Sequence, residues 1–197
     1  QLEMVDAAAD GRHALLVAAT GAGKTLSGFL PTLAELIPPR SGEDFLHTLY
    51  ISPLKALAVD VRRNLLMPVE EMGFPIRIET RTGDTPSERK ARQRVRPPHI
   101  LLTTPESLSL LLSHEDSLLM FAGLKRVIID EVHAFAHSKR GDLLSLSLAR
   151  LQKLSPSMQR VGLSATISDP DAYRAWLAPY GEIDAVRLVE GEPAADP

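Results

Sequence analysis

The glycine-rich turn at residues 18–25 constrains the fold of this 197-residue chain more than any other stretch. It reads Ala18-Ala19-Thr20-Gly21-Ala22-Gly23-Lys24-Thr25. An apolar run at residues 14–17 predicts a buried strand before it, and apolar residues at helical spacing predict a helix after it, to about residue 37. In that context the turn is a phosphate-binding loop, whose backbone N–H groups surround an anion at a helix N-terminus. We therefore predict that the chain binds a nucleoside triphosphate.

The loop predicts a role for its side chains as well. Lys24 should reach the β- and γ-phosphate oxygens, and the Thr25 hydroxyl should hold Mg²⁺. The predicted nucleotide-binding residues here are Thr20, Gly21, Ala22, Gly23, Lys24, Thr25 and Leu26. The cofactors predicted are therefore ATP and Mg²⁺.

Composition limits the class of protein. The chain is 44% hydrophobic with a net charge of −3, which fits one globular domain with a core of its own. Cysteine is absent, so neither disulfides nor thiolate metal sites can form, and the absence suits a reducing cytoplasm. No apolar run approaches the roughly 20 residues that span a bilayer, and no stretch of this sequence has the architecture of a signal peptide. We expect a cytoplasmic protein with no membrane partner.

Short apolar strands alternate with helices along the whole chain. Strands are predicted at residues 14–18, 47–51, 76–80, 99–103, 127–130, 160–164 and 185–189. Helices are predicted at residues 2–9, 26–37, 54–67, 86–93, 105–112, 143–154 and 170–177. This alternation predicts an α/β fold, a parallel sheet with helices on both faces in three layers. Ligands of such sheets bind at the carboxyl ends of the strands, where all the candidate motifs fall.

Two adjacent carboxylates, Asp130 and Glu131, follow the most apolar strand. Asp130 should hold Mg²⁺ opposite Thr25, and Glu131 should act as general base on the attacking water, so the predicted catalytic residues are Lys24, Asp130 and Glu131. An acidic helix cap is the alternative for the carboxylates alone. His133 and His137 lie four residues apart, but with no further ligands beside them we reject a metal pair and give His133 a coupling role.

Taken together, the motifs resemble those of superfamily 2 helicases, in the same order and at similar spacing. They are the loop at 18–25, Ser-Pro-Leu-Lys-Ala-Leu at 52–57, Thr-Arg-Thr-Gly-Asp-Thr at 80–85, Thr-Thr-Pro-Glu-Ser-Leu at 103–108, Asp-Glu-Val-His at 130–133 and Ser-Ala-Thr at 164–166. With Ser-Lys-Arg-Gly at 138–141, the pattern looks like the Lhr (large helicase-related) group, and the bacterial ligase-associated DEXH helicases are its closest-looking branch. The resemblance implies the RecA-like P-loop NTPase fold.

The resemblance also implies residue roles. Eight residues match the motifs that grip the sugar-phosphate backbone of one nucleic-acid strand, namely Ser52, Pro53, Lys55, Thr82, Gly83, Asp84, Thr104 and Pro105. Each of these turns, taken alone, could equally be structural. Ser164 and Thr166 match the motif that couples hydrolysis to strand movement, Gln1 takes the place of an adenine-reading glutamine, and Ala18 is a normal substitute for the first loop glycine.

A helicase of this kind needs a second RecA-like domain, which supplies arginine fingers, and the chain ends about thirty residues after Thr166. We therefore expect residues 1–180 to be the first, ATP-binding RecA-like domain, and residues 181–197 to hold a last strand and the start of a linker. The partners implied are that second domain of a longer chain and a single nucleic-acid strand. Alone, the chain should bind nucleotide weakly, turn over little ATP and unwind nothing.

The sequence is compatible with three functions. The leading one is an ATP-dependent helicase or translocase, with DNA repair favoured over RNA work by the resemblance; the others are an ATP-gated single-strand clamp and a P-loop enzyme with no nucleic-acid partner. Residues 77–96 carry seven basic and three acidic side chains, which could track phosphates or form a solvated helix face.

Overall fold

The computed structural model describes residues 1–191 except 20–22, 38–43, 55, 57, 59, 63, 64, 66–68, 70, 72, 137 and 166. Within this part of the chain, seven strands form one parallel sheet. They are β1 (His13–Val17), β2 (Thr48–Ile51), β3 (Ile78–Arg81), β4 (Ile100–Thr103), β5 (Arg126–Ile129), β6 (Gln159–Ser164) and β7 (Val186–Glu190). Their order across the sheet is β3-β4-β2-β5-β6-β1-β7.

Helices connect most of the strands. They are α1 (Leu2–Ala9), α2 (Lys24–Leu36), α3 (Ser87–Val95), α4 (Pro105–Leu112), α5 (Ser117–Phe121), α6 (Lys139–Leu154) and α7 (Pro170–Leu177), with 3₁₀ turns at Val132–Ala134 and Ile183–Ala185. The described residues between 56 and 71 are also helical. None of the described helices has both the length and the hydropathy needed to cross a membrane.

Alternating side chains of the strands enter two separate cores, one on each face of the sheet. Leu49 and Ile51 of β2 belong to the core that is closed by α4, α5, α6 and α7. Tyr50, between them, belongs to the core that is closed by α1, α2 and the helical residues between 56 and 71. The structure therefore confirms the predicted three-layer α/β fold.

Most predicted element bounds differ from the structure by a few residues. The helices predicted at 2–9, 105–112 and 170–177 have those bounds, whereas α5 was not predicted. α6 begins at Lys139 rather than at residue 143, because Ser138 is an N-cap whose hydroxyl accepts a hydrogen bond from the Gly141 N–H at 3.1 Å. β7, which we expected in the terminal segment, pairs with β1 and is part of the same sheet.

Candidate functional site

The strand order sorts the predicted site residues into two rows along the carboxyl edge of the sheet. The glycine-rich loop follows β1, Asp130 and Glu131 follow β5, and Ser164 is the last residue of β6; β5, β6 and β1 are consecutive strands of the sheet. The turns at 52–53, 82–84 and 104–105 follow the other neighbours, β2, β3 and β4. The two rows meet where β2 pairs with β5. The nucleotide residues and the strand-gripping turns predicted from the sequence therefore occupy adjoining halves of one edge.

At the start of α2, the phosphate loop presents a buried cation. Gly23 lies in the left-handed region at φ 73°, where a residue without Cβ is favoured, and it has no side chain to cap the helix. Lys24 is 8% exposed, and its Nζ donates hydrogen bonds to the carbonyl oxygens of Ala18 (2.9 Å) and Ala19 (3.1 Å). Among the described residues, no carboxylate pairs with Lys24. A buried ammonium with only backbone acceptors, beside helix N-terminal N–H groups, fits a phosphate group.

The structure describes three of the other predicted nucleotide-binding residues, Gln1, Thr25 and Leu26. Gln1 lies beside the loop, because its Nε2 is 3.9 Å from the position that a Cβ on Gly23 would occupy. Thr25 is half-buried in the first turn of α2, and the Leu26 side chain is 44% exposed, so Leu26 would offer its backbone N–H rather than its side chain. Thr20, Gly21 and Ala22 lie outside the described residues.

Among the described residues, two groups donate hydrogen bonds to the Asp130 carboxylate. The Tyr50 hydroxyl donates to Oδ2, and the backbone N–H of Glu131 donates to Oδ1 at 3.0 Å. Burial and the neighbouring Asp130 raise the pKa of Tyr50 far above its ordinary value, so its hydroxyl stays a donor. Sequence reasoning missed Tyr50; a hydroxyl within an apolar strand was the available signal. Asp130 and Thr25 offer the carboxylate and hydroxyl oxygens that Mg²⁺ accepts as ligands.

Glu131 adopts a backbone conformation unusual for its residue type. Its φ of 49° and ψ of 50° place it in the left-handed region, the single non-glycine residue there in the described part of the chain. From this turn its Oε2 lies 3.4 Å from Nε2 of His133. His133 Nδ1 in turn shares a hydrogen bond with the Ser164 hydroxyl at 2.9 Å. The predicted base, His133 and a predicted coupling residue thus form one connected chain.

Two residues of these motifs lie outside the described chain, namely His137 and Thr166. Within the chain that is described, no cluster of three or more His, Cys, Asp or Glu residues is placed to hold a metal ion.

In the turns of the second row, the hydroxyls of Ser52 and Thr104 make hydrogen bonds within the chain. Ser52 is fully buried, and its Oγ accepts from the Leu54 N–H at 3.3 Å and donates to the Leu54 carbonyl at 3.1 Å. Thr104 is 4% exposed and caps α4 by accepting from the Ser107 N–H at 3.4 Å. In this conformation these hydroxyls build the turns and do not face solvent.

The remaining residues of that row differ in exposure. Gly83 and Asp84 are exposed, Pro53 is half-buried, Thr82 and Pro105 are buried, and Lys55 lies outside the described residues. Contacts with a strand would therefore have to come from the backbone and from the exposed members.

Much of the positive charge at residues 77–96 is neutralised within the chain. Arg92 pairs with Glu79 at 2.8 Å, and Arg96 pairs with Asp44 at 3.0 Å. Arg81 is 4% exposed and donates to the Lys90 carbonyl at 2.8 Å. Several basic side chains of this segment are therefore engaged within the chain.

A parallel three-layer sheet with a phosphate loop after β1 and paired carboxylates after β5 defines a RecA-like P-loop NTPase domain. Comparison with known proteins makes the family specific. The model of the DEAD/DEAH box helicase family matches residues 1–174, and the chain belongs to that family.

Several of the similar proteins are named Lhr helicases. The chain is 47% identical over 170 residues to the ATP-dependent helicase Lhr-Core protein 2 of Thermococcus barophilus, covering 80% of this chain and 20% of that protein. It is 44% identical over 189 residues to the Lhr helicase/uracil glycosylase of Escherichia coli, covering 86% of this chain and 12% of that protein. The structure of Mycobacterium smegmatis helicase Lhr bound to ssDNA and AMP-PNP superposes with a TM-score of 0.86 at 39% identity, covering 98% of this chain and 25% of that one. The chain thus spans a fifth or less of the length of these two curated relatives.

Proposed function

We propose that this chain is the nucleotide-binding motor domain of an ATP-dependent helicase that moves along a single nucleic-acid strand. The observation that carries the proposal is the arrangement of the carboxyl edge. Lys24 follows β1, Asp130 and Glu131 follow β5 two strands away, and the turns of the second row begin at β2, next to β5. Relatives named as helicases favour a motor over an ATP-gated clamp.

In this proposal each residue of the nucleotide row has a defined task. Lys24 and the first N–H groups of α2 neutralise the β- and γ-phosphates, and Gln1 contacts the base. Bound Mg²⁺, held by Thr25 and Asp130, would supply charge neutralisation at the phosphate oxygens. Glu131 accepts a proton from the attacking water, and its contact with His133 links that base to Ser164. Thr166 would share the coupling role of Ser164.

The substrate we propose is single-stranded DNA, gripped through its sugar-phosphate backbone. The support is the likeness to a helicase structure that is bound to ssDNA. Contacts from Pro53, Lys55, Gly83, Asp84 and the N-terminus of α4 would be indifferent to base sequence.

The surrounding protein is part of the same proposal. We infer that residues 1–180, together with β7, act as the ATP-binding domain, that the residues after β7 lead toward a second RecA-like domain, and that the whole protein works in DNA repair in the cytoplasm. The support for the further domain is the length of the relatives, of which the chain covers a fifth or less.

The test is ATP turnover by this chain with and without single-stranded DNA, beside a Glu131→Gln variant. We expect nucleotide binding with little turnover, because an arginine finger from another domain is worth roughly 10³–10⁵ in rate. When the chain is joined to its second domain, DNA should stimulate turnover, and Glu131→Gln should abolish it while leaving nucleotide binding intact.

Strand binding is tested separately by fluorescence anisotropy with a labelled oligonucleotide. We expect an affinity that falls steeply with salt and does not depend on base sequence, because the contacts are to phosphates. An affinity for nucleotide without any salt-dependent strand binding would contradict the helicase assignment and favour a P-loop enzyme with no nucleic-acid partner.

A further inference from the structure

We propose that Tyr50 is a positioning residue that fixes the Asp130 carboxylate for binding of the Mg²⁺–nucleotide complex. The inference rests on the proposed function, because Asp130 matters to the metal only if the site binds nucleotide. It goes beyond that function by giving a role to a buried residue of β2, a strand whose following turn belongs to the other row of the site.

The strand register brings the two side chains together. β2 pairs with β5 so that Tyr50 lies opposite Ile128, and Asp130 comes two residues after Ile128. Residues two apart on an extended chain point to the same face, so the tyrosine ring can run along the sheet toward the carboxylate. The Asp130 N–H also bonds to the Ile51 carbonyl at 2.9 Å, which continues the pairing beyond the end of β5.

The tyrosine ring is held from the other side by the helix of the phosphate loop. Tyr50 and Phe29 are both fully buried, and their rings stack with centroids 5.4 Å apart and an interplanar angle of 29°. Phe29 belongs to α2, the helix that begins at Lys24. The hydroxyl is therefore placed by the same helix that places the phosphate-binding ammonium.

The two hydrogen bonds restrain the carboxylate in a way that one could not. Tyr50 engages Oδ2 and the Glu131 N–H engages Oδ1, so rotation of the carboxylate plane would break both. Each carboxylate oxygen still has a second lone-pair direction available for a metal or its water. Mg²⁺ demands nearly ideal octahedral geometry, so a carboxylate held in one orientation should bind it better than a freely rotating one.

The experiment compares Tyr50→Phe with the parent chain in a titration of Mg²⁺ against a fluorescent, non-hydrolysable ATP analogue. The variant keeps the ring that packs on Phe29 and removes only the hydroxyl. We expect the Mg²⁺ concentration at half-saturation to rise by about tenfold, the usual size of an effect from an outer-shell partner of a metal site. Affinity for the analogue in EDTA should not change, whereas a merely structural role would leave the Mg²⁺ dependence unaltered.

Two controls make the result specific. Tyr180→Phe removes a hydroxyl from a residue that is 86% exposed, and it should leave the Mg²⁺ titration unchanged. Asp130→Asn should raise the half-saturating Mg²⁺ more than Tyr50→Phe does. An effect of Asp130→Asn with none from Tyr50→Phe would overturn the proposal for Tyr50 alone. No effect from either variant would overturn both the Tyr50 proposal and the assignment of Asp130 to Mg²⁺.

A second variant covers the case in which Tyr50→Phe does not fold. Phe29→Leu retains the Tyr50 hydroxyl but loosens the ring that supports it. We expect a smaller rise in half-saturating Mg²⁺, about two- to threefold. An unchanged value in a folded Phe29→Leu chain would count against the proposal.

Discussion

Glu131 occupies a left-handed backbone conformation that costs an L-residue other than glycine about 1 kcal/mol. The conformation turns the chain out of β5 so that the carboxylate of Glu131 and that of Asp130 serve different neighbours, His133 and Tyr50. Strained residues of this kind concentrate at functional sites, where the surrounding structure holds them in place.

Replacing Glu131 by glycine should therefore remove the proposed catalytic carboxylate without lowering the free energy of unfolding. We expect Glu131→Gly to change the free energy of unfolding by between zero and about 1 kcal/mol in the stabilising direction, because the backbone strain is relieved. Glu131→Gln keeps the strain and should leave stability close to that of the parent chain. Urea unfolding followed by circular dichroism measures both, and a loss of more than about 1 kcal/mol in the glycine variant would contradict this account.

His13 should make stability depend on pH. Burial, and then the charge of Arg160, lower the pKa of His13 from 6.5 to about 4, and its Nδ1 accepts a hydrogen bond from the Arg160 N–H at 2.9 Å. The unfolded chain takes up a proton at this histidine below about pH 6.5, whereas the folded chain does not until about pH 4. Stability is therefore full above pH 6.5 and declines as the pH falls toward 4.

The matched variant is His13→Asn, whose side-chain oxygen can accept the same hydrogen bond. Between pH 7.5 and pH 5 the parent chain should lose about 1–2 kcal/mol more stability than the variant does. Parallel stability curves for the two chains over that range would show that His13 is not the titrating group.

At the residue level, the sequence predicted where the charged site residues lie, but not which side chains contact them. The positions of Lys24, Asp130 and Glu131 after apolar strands were enough to place them at one edge of the sheet. The link from Tyr50 to Asp130 depends on a pairing of β2 with β5 between residues about eighty positions apart, and no local pattern encodes that pairing. The burial of Ser52 has the same origin, because it follows from packing rather than from spacing.

Among the elements, the start of α6 depends most closely on a single glycine. A Cβ on Gly141 would lie 2.0 Å from the Phe135 carbonyl oxygen, which is a backbone atom that cannot move without displacing the turn after Asp130 and Glu131. Gly141 also donates its N–H to the capping hydroxyl of Ser138. The helix can approach the turn this closely only where no side chain is present.

Gly141→Ala should lower the free energy of unfolding by about 2–4 kcal/mol, since either the cap or the 3₁₀ turn at Val132–Ala134 must shift. Gly123→Ala is the matched control, because a Cβ there meets nothing within 4 Å. Thermal unfolding of both variants measures the difference, and equal melting temperatures would refute the role given to Gly141.

Element type was predictable from periodicity, but some boundaries were not. α4 and α7 start with a proline after a capping residue, and their predicted bounds agree with the structure. The start of α6 was predicted too late because Lys139 and Arg140 carry no apolar signal and the cap determines the boundary. α5 was missed because a five-residue helix is too short to show a period.

On the scale of the whole molecule, a polar network centred on Arg126 joins helix α2 to strands β5 and β6. Arg126 of β5 is 1% exposed and donates to Thr32 (3.0 Å), Glu35 (2.8 Å) and Gln159 (2.7 Å). His47 approaches the other Glu35 oxygen at 3.0 Å. Burial alone would raise the pKa of Glu35, but hydrogen bonds from His47 and Arg126 lower it to about 2.

Glu35→Gln should lower the free energy of unfolding at pH 7 by about 1–2 kcal/mol, a value reduced for the partial exposure of Glu35. Because the folded pKa of Glu35 lies below its ordinary value of 4.5, this contribution is present above pH 4.5 and is lost as the pH falls toward 2. Denaturant unfolding of the parent chain and the variant at pH 7 and pH 3 measures it; a difference that grows on acidification would contradict the assignment.

The order of the strands could not be read from the sequence, although the parallel sheet could. Alternating strands and helices indicate parallel pairing through crossovers, but many orders satisfy that rule. The separation of the site into two rows is a property of the order β3-β4-β2-β5-β6-β1-β7, which only the structure supplies.

That order also has a consequence for synthesis. β1 pairs only with β6 and β7, and the His13–Arg160 hydrogen bond spans 147 positions of sequence. At about 5–20 residues per second, a ribosome needs roughly 7–30 s to make that stretch, during which the first strand has no partner.

Nucleotide therefore cannot protect the growing chain against protease, because the phosphate loop after β1 has no neighbouring strands to hold it in place. Ribosome-bound chains arrested before residue 159 should be degraded by protease equally fast with and without ATP. The apolar β1 would have to be shielded by other means until β6 and β7, in the last fifth of the chain, emerge.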